Sequence, residues 1–185
     1  MAIFLLKKSY QASNQKEIGF KDLWGSHGVF TTIRLLGKPG KLILFKSHFK
    51  GLIKSLKKYK IYSKNIETNI NRLIYSNINK NINYDHLFRI ALTKKFISIS
   101  IRKRLKPKKD FELKLINYRR IDPEIKNLYY KKILKELNKY DPSKTDIALV
   151  YRGKILETCT SNILFFKNRE YFSPKNNCYI GNTIN

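Results

Sequence analysis

The chain has 185 residues, 42% of them hydrophobic, enough to bury the core of one domain or of two small ones. Its formal charge of +26 points by itself to nucleic acid or an anionic surface, but the basic residues are spread over every segment without zinc-finger spacing or an RNP-type aromatic motif, so no nucleic-acid partner is expected. Apolar runs such as Ala2 to Leu6 are far too short to span a bilayer, no signal pattern opens the chain, and Cys159 and Cys178 lack C-x-x-C spacing; the expectation is a cytoplasmic protein without membrane, disulfide or zinc.

Met1 to Lys7 is an apolar strand candidate, followed by a polar loop to Phe20. The run G-V-F-T-T-I-R-L-L-G, residues 28 to 37, alternates as a strand does and ends in a turn at Gly37 to Gly40. Phe30, Thr32 and Arg34 then share one face of it, Thr31 and Ile33 the other. Lys41 to Phe45 pairs back, and Ser47 is placed to cap a helix whose stripe is Phe49, Leu52, Ile53 and Leu56. Lys64 to Ser76 is a second helix. Three strands follow, Asp85 to Thr93, Phe96 to Arg102 with Ile97, Ile99 and Ile101 inward, and Phe111 to Ile116 after a basic turn at Pro107.

Residues 1–118 in this order suit an α+β domain on a largely antiparallel sheet, 119–124 a linker broken by Pro123, and 125–185 a second domain. Ile125, Leu128, Tyr129, Ile133 and Leu137 have the spacing of a helical stripe, with Lys126 at its start and Pro142 beyond its end. Thr145 to Tyr151 and Lys154 to Glu157 form a hairpin around Arg152-Gly153, which leaves Glu157 at a strand end before the polar run Thr158 to Asn162. Strands at Ile163 to Phe166 and Glu170 to Ser173 precede the closing Y-I-G-N-T-I-N. Any one lysine in so basic a chain is most often a solvated charge.

The segments I-K-N-L-Y-Y and D-I-A-L-V-Y-R-G-K-I-L-E-T-C-T-S-N-I-L-F, with F-T-T-I-R upstream, resemble the class IV aminotransferase family, the fold type IV pyridoxal phosphate enzymes. Within it the likeness is strongest to the aminodeoxychorismate lyases. The resemblance implies a two-domain α+β fold with the second domain incomplete, a homodimer, and pyridoxal 5'-phosphate as cofactor. It implies that Lys126 forms the Schiff base, that Glu157 keeps the pyridine nitrogen protonated, that Tyr130 lies near the cofactor phenolate, and that Gly181, Asn182 and Thr183 bind its phosphate. Phe30, Thr32 and Arg34 are implied pocket residues for a small anionic substrate. The family's H-x-x-R-L holds the phosphate through its arginine; here His48 matches and Gly51 stands in the arginine's place, with Lys50 or Lys54 beside it to supply charge but no bidentate fork. The implied activity is conversion of 4-amino-4-deoxychorismate to 4-aminobenzoate and pyruvate in folate biosynthesis. The alternatives are a class IV aminotransferase for branched-chain or D-amino acids and a truncated, inactive relative or basic binding protein.

Overall fold

The computed structural model describes residues 3–174, which form two compact units. Among the described residues the first comprises 3–104 with 126–129, the second 105–125 with 130–174.

In the first unit, β1 (Phe4–Gln11), β2 (Glu17–Ile18), β3 (Gly28–Gly37), β4 (Lys41–Leu42), β5 (Tyr84–Thr93) and β6 (Phe96–Lys103) make an antiparallel sheet in the order β2-β1-β6-β5-β3-β4. Strict alternation assigns its two faces. Ile33, Phe88, Ile90, Ile97, Ile99 and Ile101 are sealed from solvent on one of them, each contributing about 1.5–3 kcal/mol by burial. Helix α1 (Phe45–Lys58) lies on that face, because Thr31, which belongs to it, reaches His48 of α1 at 3.2 Å. Helix α2 (Ile66–Ser76) buries Ile66, Ile70, Leu73 and Ile74. The other face is polar: by register it carries Thr32, Arg34, Arg89, Ser98, Ser100 and Arg102.

The second unit holds β7 (Glu112–Asn117), α3 (Lys131–Leu137), β8 (Thr145–Tyr151) and β9 (Lys154–Thr158). β7 runs parallel to β8, and β8 and β9 form the hairpin expected around Arg152-Gly153, both at positive φ. β10 (Phe165–Lys167) pairs with β11 (Glu170–Phe172) around Asn168-Arg169.

Four local expectations are corrected. The helix read from residue 125 begins only at Lys131, because the main chain of 126–128 bonds across to Gly28 and Phe30 instead of along itself. Ser47 caps nothing: α1 starts at Phe45 after Leu44, which sits at φ 54° without a side-chain cap. The strand after the Gly37 turn is two residues long. Finally, the strand after Pro107 pairs with β8 rather than joining the first sheet, so the chain leaves the first unit after Arg104 and not at 118.

Candidate functional site

Lys126 is fixed through its backbone. The Phe30 N–H donates to the Lys126 carbonyl at 2.7 Å, the Leu128 N–H to the Gly28 carbonyl at 2.9 Å, and the Gly25 N–H to the Leu128 carbonyl at 2.7 Å. Val29 and Asn127 form an antiparallel bridge, which sets Lys126 across from Phe30. The approach depends on Gly28. A Cβ there would stand 2.3 Å from the Leu92 carbonyl oxygen and 2.6 Å from Leu128 Cδ1, so only glycine lets the lysine segment lie against the start of β3. Asn127 and Leu128 are buried on either side of the bend, and the Asn127 Oδ1 accepts the Tyr129 N–H at 3.1 Å.

Around Lys126 the first unit gathers a set of imidazoles and phenols. His48 is half-buried and shares a hydrogen with Thr31 Oγ1. Burial, and then the positive charge of Lys126, pull its pKa down to about 4, so it is neutral at pH 7. His27 donates from Nε2 to the Tyr59 carbonyl at 3.1 Å, which leaves Nδ1 to accept from the Tyr129 hydroxyl at 3.0 Å.

The expected pocket residues share the sheet's polar face. Phe30 is buried edge-on against Trp24, with centroids 4.8 Å apart. Thr32 is half-buried and Arg34 is ion-paired with Asp85. Across the ladder from Thr32 stands Arg89, which the sequence reading missed. Its guanidinium lies 4.6 Å over the Trp24 ring and 3.8 Å from Asp22, and its buried Nε has no hydrogen-bond acceptor, as is also true of Arg34 Nε. Burial lowers the pKa of both Arg89 and Arg102. Arg34 and Arg89, two half-buried guanidiniums each with an uncommitted Nε donor, are suited to an anion. The signal was available in the β5 alternation, where Arg89 interrupts apolar neighbours on both sides.

In the second unit Glu157, the last residue but one of β9, is 4% exposed and pairs with Arg120, itself 5% exposed, Nε to Oε1 at 2.5 Å. Arg120 also donates to the carbonyls of Ile125, at 3.2 Å, and Pro123. Tyr130 is buried with the Arg120 guanidinium 5.5 Å over its ring, and burial holds its phenol far above the usual range. Cys159 is pushed up to about 12, by burial first and then by Asp146 and Glu157, which makes it an inert thiol. Asp146 accepts from the Ile147 N–H and from Thr160 Oγ1, and the Thr158 hydroxyl bonds both ends of Ser161; together they lock the turn after Glu157. Gly181, Asn182 and Thr183 lie outside the described residues. Gly51 faces open space, with nothing within 4 Å of a Cβ built there. Lys50 and Lys54 are exposed on the same helix.

The first unit offers a lysine with a fixed main chain; the second, by itself, offers a buried carboxylate paired with an arginine and a buried phenol. Each is a group of the kind that the ring of pyridoxal phosphate uses. Among the described residues no group of three His, Cys, Asp or Glu is placed to hold a metal, and no helix is long and apolar enough to cross a membrane.

A family model described as amino-transferase class IV matches residues 28–185. The sequence matches no curated protein. Among solved structures, a branched-chain aminotransferase from the archaeon Thermoproteus uzoniensis, with norvaline, aligns at TM-score 0.70 and 14% identity over 100% of this chain and 72% of that one. A putative 4-amino-4-deoxychorismate lyase from Legionella pneumophila aligns at TM-score 0.65 and 16% identity over 83% and 64%. An aminotransferase from Brucella abortus bound to the cofactor PLP aligns at TM-score 0.65 and 17% identity over 100% and 75%. At such identities the likeness is one of fold.

Proposed function

The chain belongs to the class IV amino-transferase family, and from this we infer that it is a pyridoxal phosphate enzyme, specifically a lyase that converts 4-amino-4-deoxychorismate to 4-aminobenzoate and pyruvate. The observation that carries the reading is the fixing of Lys126 beside Phe30 by three main-chain hydrogen bonds and a glycine contact. A solvated surface lysine has no need of such a seat.

When bound, the cofactor supplies an aldehyde that takes up an amine and a protonated ring that withdraws electrons from the carbon next to it. Lys126 supplies the amine that holds the cofactor and, once displaced by the substrate amine, the base that removes the proton from the amine-bearing ring carbon. Glu157, paired with Arg120, would hold the protonated ring nitrogen, Tyr130, buried as a neutral phenol, would donate to the ring oxygen, and Gly181, Asn182 and Thr183 would take the phosphate through N–H and hydroxyl groups. Thr32, Arg34 and Arg89 receive the two carboxylates of the substrate, whose loss of pyruvate leaves an aromatic product. A homodimer in the cytoplasm completes the proposal, on family membership alone.

A second reading is a branched-chain aminotransferase, since solved branched-chain enzymes share the fold at TM-scores of 0.65 to 0.71, beside lyases at 0.65 and 0.62. The F-T-T-I-R strand favours the lyase. The two separate in one experiment, in which cofactor-loaded protein receives either 4-amino-4-deoxychorismate or leucine with 2-oxoglutarate. Production of 4-aminobenzoate supports the lyase; glutamate formation supports the aminotransferase. Neither product, with no cofactor retained, would move the chain to the inactive relatives, with Gly51 as the first suspect.

A further inference from the structure

The outer side of α1 carries a groove of about 600 Å³ with an apolar floor of Phe45, Phe49 and Ile53. Along one rim stand Lys46, Lys50, Lys54 and Lys57, and Glu67 and Asn71 of α2 stand on the other. The lysines recur at intervals of four, four and three residues, a row along one helix face that extends about 16 Å. Lys46, Lys50 and Lys54 are exposed, and among the described residues none of the three makes an ion pair. Lys57 differs, since its Nζ sits 4.9 Å over the Tyr62 ring, whose hydroxyl donates to Glu67.

The floor is only partly covered by the protein itself. Phe45 and Phe49 are tilted against each other at 5.4 Å and half-buried, and Tyr75, edge-on to Phe45 at 6.0 Å, is 62% exposed. Leu44 and Ile43, just before the helix, are exposed as well. Aromatic rings left open beside a row of uncommitted cations mark an interaction surface.

We propose that this groove docks an acidic amphipathic helix from a partner protein. The shape and the charge select that occupant together. A helix inserts one apolar stripe into a groove and carries its flanking side chains at intervals of three and four, so a row of Glu or Asp beside the stripe meets the lysine row in register. A flat bilayer does not reach a recessed floor, and a phosphodiester backbone would satisfy the lysines while leaving the rings uncovered. The opposite rim carries just one carboxylate, Glu67, which already accepts from Tyr62, so it adds little repulsion. None of this depends on a cofactor or on the reaction proposed above.

The test uses the full chain and a fluorescein-labelled designed helix of about 18 residues, long enough to match α1, with a leucine stripe flanked by glutamates. Two double variants carry the same charge change: Lys50→Glu with Lys54→Glu in the groove, and Lys94→Glu with Lys95→Glu in the exposed turn between β5 and β6. Circular dichroism checks that each remains folded. The groove variant should weaken anisotropy-detected binding about tenfold or more and the turn variant less than about twofold, because contacts across a docked face count for more than net charge. Replacing the leucines of the probe by serine should abolish binding. The proposal is overturned if both variants weaken binding equally, if the serine probe binds as well as the leucine probe, or if the helix does not bind at all. Wild-type binding to phosphatidylglycerol vesicles or to oligo-dT that exceeds helix binding and is lost in the groove variant would also overturn it, in favour of a lipid or nucleic-acid surface.

Discussion

Replacing Gly28 by alanine tests whether close approach is what seats Lys126. The new Cβ would stand 2.3 Å from the Leu92 carbonyl oxygen, 2.6 Å from Leu128 Cδ1 and 3.0 Å from Thr93 Cγ2. Carbon and oxygen meet comfortably at about 3.3 Å, so a shift of roughly 1 Å is required. The oxygen belongs to the central strand β5 and has little freedom, whereas residues 126–128 are held by three main-chain bonds and give way first. Overpacking costs about 1–3 kcal/mol and each lost bond about 0.5–1.5, so a net loss of about 2–4 kcal/mol is expected by whichever route is cheaper. Trp24, the sole tryptophan, sits in the same unit and reports urea unfolding by fluorescence. Gly51→Ala is the control, since its Cβ meets nothing; at an exposed helical position it should gain about 0.5–1 kcal/mol. A Gly28→Ala protein within about 0.5 kcal/mol of wild type, with Lys126 as reactive as before, would refute the reasoning.

Three further outcomes are expected. Glu157→Ala leaves the Arg120 guanidinium buried and uncompensated, and should cost about 3–5 kcal/mol by denaturant melting, with Glu157→Gln less severe; equal stability of all three proteins would show that the pair is not sealed. His48 stays neutral in the folded chain down to about pH 4 but is protonated below its ordinary value of 6.5 when unfolded. Its contribution is therefore whole above pH 6.5 and lost as the pH falls to about 4, about 1–2 kcal/mol after allowing for partial solvent screening. His48→Gln should flatten that part of the stability profile, and an unchanged profile would count against the assignment. Arg89→Gln should raise the KM for a dicarboxylate substrate at least about tenfold with the fold retained, and an unaltered KM would remove Arg89 from the anion face.

Much of the first unit could be read from alternation, because a half-buried antiparallel sheet writes its two faces into every second residue. Ile97, Ile99 and Ile101 are the clearest case, expected inward and found sealed. The stretch at 125–137 misled for the same reason. Ile125, Leu128 and Ile133 are all buried, but the helical spacing marked burial alone, since Ile125 lies in a turn that bonds back to Asp122 and Leu128 in a segment held by Gly25 and Gly28, about a hundred positions earlier. Local sequence carries no record of such bonds. Arg120 escaped notice because a basic residue before a proline looks like linker in a chain this basic, and its value comes from Glu157, 37 residues away. Leu44 in a left-handed cap has no local signature either, and Ser47 offered a more conventional one.

The central claim is that Lys126 is the cofactor-bonded lysine. Purified protein loaded with pyridoxal phosphate, reduced with borohydride, digested and mapped by mass spectrometry tests it directly. The account predicts a pyridoxyl group on the peptide containing Lys126, and none on that peptide in Lys126→Ala. Label scattered over the surface lysines, at the same level in both proteins, would contradict it.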